Sequence, residues 1–487
     1  MMKFFQLPLF VMLFLFSCKN QDKNPQTTQI KIERPNILVI LCDDLGYADV
    51  GFNGAQDITT PALDQLANNG TIFTSGYVAH PFCGPSRAGL MTGRYPHKFG
   101  SQFNLPMNSG ELLGEGIPLE ETFISKVLQE SGYYTGIVGK WHLGAVPDYH
   151  PNKRGFDDFY GFLGGGHSYF PSEFNPQFEE QIQAGNKLIN DYLKPLEYNG
   201  KEVRETEYIT DALSREAVRF VNNASKKDQP FFLYLAYNAP HSPMEAKEED
   251  LNKFMHIKDK KRRTYAAMVY AVDRGINDIV NSLKENKEFD NTLIVFLSDN
   301  GGKLKFGSNN APLSGEKGDT NEGGYRVPMF FHWPKNVPAG KRSDHPVSAL
   351  DFYPTFAHLG GVEIPATMQL DGKNIWDHLV TGKSTRDGEM IFAMRHREGY
   401  TDVGARKDNW KILKTQQNPW KLYDLEKDIS ETNDLSAQHP QLLKEMVLKA
   451  EEWSKTHTEP RWFDPEELSI IWEEKSMSKF EETFKIE

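Results

Sequence analysis

From residue 34 onward, continuous apolar runs alternate with longer stretches whose apolar positions recur at helical spacing. The run NILVILC, beginning at Asn36, has no polar interruption and stops at Asp43-Asp44, which predicts a strand buried on both faces. Thr60-Pro61 opens a helix that Gly70 closes. ETFISKVLQES is an amphipathic helix closed by Gly132, and YTGIVGKWH follows as a strand delivering Lys140 and His142. The same rhythm repeats in EYITDALSREAVRFVNN, which leads to PFFLYLAYNAPH and His241, and in RTYAAMVYAVDRGINDIVNSL, which leads to TLIVFLSDNGG with Asp299 and Asn300. Strands alternating with helices predict the α/β class, with a large, mostly parallel central sheet between helices. Ligands of such sheets bind beyond the carboxyl ends of the strands, where these polar residues fall.

After the helix SALDFYPTFAHL, ended by Gly360-Gly361, the pattern shortens. From about residue 384 the strands EMIFAMR, WKILKT and KLYDL precede a helix around QLLKEMVLKAEEW, which predicts a smaller C-terminal α+β subdomain with an antiparallel sheet. The expected division is a catalytic domain over 34–383 and a subdomain over 384–487. The stretch beyond Trp462, with Ile470, Ile471 and Trp472 among Glu and Lys, reads as a packing helix.

At the other end, Lys3 and the apolar run Leu7 to Phe16 form a charged region and a core too short to span a bilayer, the pattern of an export signal over residues 1–18. It ends LFSC, close to a bacterial lipoprotein signal although Phe16 is bulky, so that Cys18 would carry lipid; an ordinary cleaved signal with an incidental cysteine is the alternative. Residues 19–33, including KNQDKNPQTTQ, read as a flexible tether. The expectation is export to the periplasm or cell surface, with membrane contact only through lipid on Cys18. A net charge of -12 argues against nucleic acid as partner, because that binding rests on Lys and Arg neutralising phosphates. An anionic substrate would need a local basic pocket.

Such a pocket can be assembled from the strand ends. Asp43, Asp44, Asp299 and Asn300 are hard-oxygen donors suited to Ca²⁺ or Mg²⁺. Each pair alone also serves as an ordinary turn. Near them in the expected fold stand Arg87, Lys140, His142, His241 and Lys317, a set suited to a compact oxyanion with histidines for proton transfer. Cys42 ends a buried strand and packs as a small apolar residue.

One short motif changes the picture. CGPSR at residues 83–87, followed by TGR, resembles the signature of type I sulfatases of the alkaline phosphatase-like superfamily, in which the cysteine is oxidised to formylglycine. RPNILVILCDDLGY, GKWHLG, APHSP, LSDNGG, EKGDTNEGGYRVP and LYDLEKDISETNDL also resemble segments of that family, in family order. The resemblance implies an alkaline-phosphatase-like α/β sandwich and hydrolysis of a sulfate ester on a carbohydrate, as in bacterial polysaccharide sulfatases. It implies that Cys83, modified by a formylglycine-generating maturation enzyme, hydrates to a geminal diol of which one hydroxyl attacks sulfur. Asp43, Asp44, Asp299 and Asn300 would hold Ca²⁺ together with an oxygen of modified Cys83. Arg87 would hold the formylglycine hydroxyl, and Lys140 and Lys317 the sulfate oxygens. His241 would protonate the leaving alcohol, and His142 would take the proton of the second hydroxyl as sulfate is eliminated. His167 in GGGHSYF could touch the sugar ring, or be an ordinary loop histidine; Arg395, His396 and Arg397 in MRHRE could grip a neighbouring anion of a polymer, or simply solvate a strand. Two alternatives stand beside this reading: a phosphonate or phosphodiester hydrolase of the same superfamily, and a catalytically silent protein that binds sulfated glycans.

Overall fold

The computed structural model describes residues 1–2, 34–416, 418–480 and 483–486. The expected signal, Cys18 and the tether lie outside the described residues. Four parallel strands, β1 (Asn36–Cys42), β2 (Tyr134–Lys140), β3 (Phe231–Ala236) and β4 (Thr292–Ser298), lie side by side in the order β4-β1-β3-β2 at the centre of a ten-stranded sheet. Asp158–Phe162 extends the parallel set beside β2, while Met329–His332 runs antiparallel to β4. The outermost strands, such as Thr71–Phe73 and Lys201–Val203, are too short to leave a periodic signal in the sequence.

Apolar runs without alternation follow from cover on both faces. Leu38, Ile40, Leu235 and Ile294 share one core with α1 (Pro61–Asn68), α4 (Ile209–Ala224) and α5 (Lys260–Glu285), through Leu66, Leu213, Phe220, Met268 and Ile276. On the other face Phe232 meets Phe356 at 6.3 Å, in the helix Phe352–Leu359 that packs on α2 (Cys83–Thr92) and α3 (Ile124–Glu130). Register brings the strand ends level: Cys42 lies opposite Ser298, Leu41 opposite Ala236, and Ala236 opposite Gly139. The next residues of three strands therefore emerge together as Asp43, Lys140 and Asp299.

In the C-terminal part β5 (Met390–His396), β6 (Thr401–Lys407), β7 (Trp410–Lys414) and β8 (Lys421–Asp424) form an antiparallel meander. Met394, Val403, Ala405, Ile412 and Leu422 pack under α6 (Pro440–Ser454) through Met446, Val447 and Ala450. β6 was not among the expected strands. Its sequence TDVGARK hides the pattern because its polar residues are buried and paired: Arg406 donates to Ser75 Oγ at 2.8 Å and to the Tyr77 hydroxyl at 2.7 Å. Lys411 Nζ lies 2.9 Å from Glu322 and 2.9 Å from Glu431, with all three side chains buried, which ties this sheet to the loop carrying Lys317. Leu468–Glu474 is helical and buries Trp472, while Ile470 stays exposed. Among the described residues no helix is long and apolar enough to cross a membrane.

The two parts meet at a histidine stack with a consequence for acid stability. His97 stacks on His457 at 4.7 Å and lies edge-on to His396 at 5.6 Å and Trp453 at 5.7 Å. Burial lowers its pKa to about 3, outweighing a contact with the Met394 carbonyl. A folded pKa below the unfolded one means that the stabilisation is complete above about pH 6.5 and is lost as pH falls toward 3. Going from pH 7 to pH 5 should cost about 2 kcal/mol through this residue. Melting temperatures at the two pH values should therefore differ less in His97→Phe than in the wild type; equal differences would contradict the account.

Candidate active site

Asp43 and Asp44 leave β1 in a turn that puts Asp44 in the left-handed region, at φ +64°. Asp299 continues the ladder by donating its N–H to the Cys42 carbonyl at 3.0 Å. The Asp44 N–H donates to Asp299 Oδ1 at 3.3 Å, and Asn300 Nδ2 donates to Asp44 Oδ1 at 2.7 Å. Cys83 is the first residue of α2, whose Pro85 sits in the first turn, where its missing N–H costs nothing. The Gly84 N–H, another unpaired donor of that turn, reaches Asn104 Oδ1 at 3.0 Å. Every residue of α2 is buried, so the helix holds the cysteine against the strand ends.

Cys83 Sγ donates to Asp43 Oδ1 at 3.4 Å and lies 3.2 Å from Lys317 Nζ, which is also 2.7 Å from Asp44 Oδ1. Lys140 Nζ is 2.6 Å from Asp43 Oδ2. The preceding Gly139, at φ +109°, approaches β3 so closely that a Cβ there would lie 2.0 Å from the Ala236 carbonyl oxygen. Only glycine lets β2 end in this position. Arg87, one turn along α2 from Cys83, donates through Nε to Asp299 Oδ2 at 2.9 Å and through Nη1 to the Lys140 carbonyl at 3.2 Å, with Nη2 in ion-pair contact with Asp299 Oδ2 at 2.8 Å.

Three carboxylates thus face three fixed cations in a buried centre. Burial would raise the pKa of Asp43, but Lys140, His241, Arg87 and Lys317 outweigh it and hold it far below the carboxylate range. Asp299 moves the other way, to about 6, through burial and the neighbouring Asp43 charge. Burial and Asp43 also push the Cys83 thiol up to about 12, so an unmodified Cys83 is a protonated thiol and a poor nucleophile at neutral pH. His142 is held well below its usual value by burial and by Lys140 and Arg87. Burial lowers His241 as well, against the opposing charges of Asp43 and Asp44.

The two histidines expose different nitrogens. His142 Nε2 faces the Leu105 carbonyl at 3.3 Å, so that nitrogen carries the proton and Nδ1, buried without a partner, keeps its lone pair. His241 Nδ1 faces the Ser242 carbonyl at 2.7 Å, leaving Nε2 3.7 Å from Asp44 Oδ2.

The remaining candidates divide. His167 does not reach the centre: its side chain is buried and its ring nitrogens face the Ser168 and Lys194 carbonyls at 2.6 and 2.7 Å. The glycines before it carry the consequence instead. A Cβ on Gly165 would lie 2.8 Å from His142 Nε2, and one on Gly166 2.4 Å from the Tyr192 ring. Tyr192, whose ring lies 6.5 Å from that of His241, and Asn104 are neighbours of the centre that no motif announced. His396 is buried against Trp472, with Nδ1 3.0 Å from Thr401 Oγ1, so it cannot solvate a strand. Arg397 is occupied by Asp402 and, at 3.1 Å, by Asp319. Cys42 is buried and, as expected, packs within the large core.

The donor set fits a hard divalent cation. Ligand atoms of Asp43, Asp44, Cys83 and His241 lie within 4.8 Å of one another, and Asn300 Oδ1 beside them is buried with no hydrogen-bond partner.

A mostly parallel sheet whose strand ends gather carboxylates, cations and a helix-borne cysteine defines a hydrolase of anionic esters. The family model described as Sulfatase matches residues 35–362, and one described as N-sulphoglucosamine sulphohydrolase, C-terminal, matches residues 317–456. The chain belongs to the sulfatase family, the sulfuric ester hydrolases of alkaline-phosphatase-like fold. It is similar to the solved structure of Ps i-CgsB in complex with k-i-k-neocarrahexaose, at 57% identity and a TM-score of 0.92, over 93% of this chain and 100% of that one. It is 32% identical to the uncharacterized sulfatase YdeN of Escherichia coli K12, over 85% of this chain and 84% of the relative. It is 33% identical to the N-acetylgalactosamine-6-sulfatase of Sus scrofa, over 80% and 73% respectively.

Proposed function

We propose that this protein hydrolyses a sulfate ester on a carrageenan-type galactan, using formylglycine made from Cys83 by a maturation enzyme and Ca²⁺ held by Asp43, Asp44, Asp299, Asn300 and residue 83. The observation that carries the reading is the convergence of Cys83 Sγ, Lys317 Nζ and Asp43 at 3.2 and 3.4 Å, in a chain so similar to one solved with a neocarrahexaose. When present, the oxidised side chain supplies a hydrated aldehyde as nucleophile and the cation supplies positive charge to the sulfate oxygens.

The chain's own residues do the rest. Lys140 and Lys317 hold sulfate oxygens and oppose the charge that builds on them in the transition state. Arg87, fixed by Asp299, orients the side chain at 83 from one turn below. With Nδ1–H on the Ser242 carbonyl, His241 acts as the imidazolium, the form that Asp43 and Asp44 favour against burial, and hands its Nε2 proton to the departing sugar oxygen. His142 accepts a proton at Nδ1, the lone pair that its contact with Leu105 leaves free. Alone, the three carboxylates and three cations balance; a divalent ion makes the centre cationic and suited to an anionic ester. In this reading the chain is exported and held at a membrane by lipid on Cys18.

Incubating the matured protein with a sulfated neocarrahexaose should release inorganic sulfate, detected by ion chromatography, with one sulfate-shifted ring proton lost from the NMR spectrum. Turnover of an aryl phosphonate, with no sulfate released from any galactan oligosaccharide, would replace this reading by the phosphonate one.

A further inference from the structure

Beside the centre lies a cleft of about 360 Å³ lined by Phe82, Gln102, Asn104, Arg395, His396 and Tyr400, among others. Its lining adjoins residues of the site at two points. Phe82 directly precedes Cys83, and Asn104 accepts the Gly84 N–H. Arg395 Nη1 donates to the carbonyl of Gly318, the residue after Lys317, at 2.5 Å, and its guanidinium lies 4.4 Å from the Phe82 ring centroid.

Arg395 differs from its neighbours in having no anion of its own. Asp319 and Asp402 are bound to Arg397, and the two carboxylates that line the cleft itself, Glu398 and Asp464, form no ion pair with Arg395. Among the described residues no carboxylate forms an ion pair with Arg395. Burial and the adjacent Arg397 lower its pKa to about 10, against the opposing charges of Asp319 and Asp402. Two further polar atoms point to a ligand. His396 Nε2 and Gln102 Oε1 are buried without hydrogen-bond partners, in side chains that are 4% and 2% exposed and that line the same cleft. Buried polar atoms left unpaired are costly, and two of them, one donor and one acceptor, beside a guanidinium without an ion-pair partner suit a sulfated sugar, whose sulfate accepts and whose hydroxyls donate.

We infer that this cleft binds a second sulfate ester, on the sugar next to the one being desulfated, with Arg395 as its principal ligand and His396 Nε2–H as a second donor, while Gln102 Oε1 accepts from a hydroxyl of the same sugar. The inference rests on the sulfatase reading and adds a requirement to it: the enzyme selects oligosaccharides whose sulfates occupy neighbouring residues. A planar guanidinium suits this role, because it offers two parallel donors to a tetrahedral oxyanion and stacks on an aromatic ring at the same time.

The test compares kcat/KM for two oligosaccharides of equal length, one carrying the neighbouring sulfate and one lacking it. The wild type should prefer the doubly sulfated substrate, and Arg395→Ala should reduce that preference by about 10- to 100-fold, the size expected for a charge-assisted contact. An equal loss on both substrates would make Arg395 a support for the Lys317 loop and overturn the inference, as would an unchanged preference. If Arg395→Ala does not fold, Arg395→Lys carries the same test, since it keeps the charge but loses the fork. Its preference should fall several-fold, and an unchanged preference overturns the inference. Failure of the wild type to release sulfate from either substrate counts against the parent reading. In that case calorimetric binding by Cys83→Ser separates the two questions, since tighter binding of the doubly sulfated ligand, lost in the Arg395→Ala double variant, still supports the cleft and equal binding removes it.

Discussion

Cys83→Ala should lose sulfate release by at least about 10⁴-fold, the order seen when a covalent nucleophile is removed, while its melting temperature stays close to that of the wild type. The side chain being deleted is small, and its contacts are weak ones for a buried group: a 3.4 Å thiol contact to Asp43 and a 3.2 Å contact from Lys317. Asp43 keeps Lys140 at 2.6 Å and Lys317 keeps Asp44 at 2.7 Å, so neither charge is stranded by the change. α2 keeps its capping contact through the Gly84 N–H. Cys83→Ser separates two possibilities that Cys83→Ala does not. If the reactive group were an ordinary hydroxyl or thiol activated by its neighbours, serine would retain substantial turnover. If the group must be the oxidised side chain, serine can attack once but lacks the second hydroxyl whose collapse expels sulfate, and should be as inactive as alanine under multiple-turnover conditions. Mass analysis of the peptide around residue 83 in the wild type should show the aldehyde. A fully active preparation carrying the thiol would refute the assignment of the nucleophile, and the high pKa of that thiol already speaks against it.

The strands that build the site were legible because burial on both faces leaves no polar interruption, and because each such strand ends abruptly in charge. β1 into Asp43-Asp44 and β4 into Asp299-Asn300 show this most clearly. What joined them was legible only as spacing along the chain: parallel register puts Cys42 opposite Ser298 across about 250 residues, and no local pattern encodes that. Where polar residues turn inward the reading failed. Asp402 and Arg406 in β6 form ion pairs and hydrogen bonds under the sheet, so the alternation that marks a half-buried strand is absent. GGGHSYF left two readings open. A histidine beside three glycines drew attention to itself, but histidine chemistry depends on what its nitrogens face, and those of His167 face backbone carbonyls. The glycines matter because they leave room for His142 and Tyr192, which lie far from them in sequence. Arg395 in β5 and Arg397 just past its end are equivalent in sequence, and the placement of Asp319 and Asp402 distinguishes the paired guanidinium from the one without an ion pair.

Asp299→Ala should lose both bound Ca²⁺ and activity, and here two effects must be separated. Asp299 offers Oδ1 beside Asp44 and Asn300, while its Oδ2 is the partner of Arg87. Removing the carboxylate strips an oxygen donor from the cation and also strands a fully buried guanidinium, whose next carboxylate, Asp43, is 3.8 Å away. The second effect alone should cost about 3–5 kcal/mol of stability. Asp299→Asn keeps the shape and a neutral oxygen, so it weakens the cation site with less damage to Arg87. Calcium supplies the discriminating measurement, since a ligand bound only by the folded state raises stability by about 4 kcal/mol at a thousandfold excess over its Kd. Chelated wild-type protein should melt lower and recover both its melting temperature and sulfate release when Ca²⁺ is restored. Asp299→Ala should melt at one temperature with or without Ca²⁺, with turnover reduced by at least about 10³-fold. Asp299→Asn should lie between them, shifting only at higher Ca²⁺. Because Asp43, Asp44 and Asn300 remain in every variant, a graded calcium response identifies Asp299 as a ligand, whereas a uniform drop in stability with an intact calcium shift would reduce it to the anchor of Arg87. Full activity in a metal-free Asp299 variant would remove the cation from the reaction.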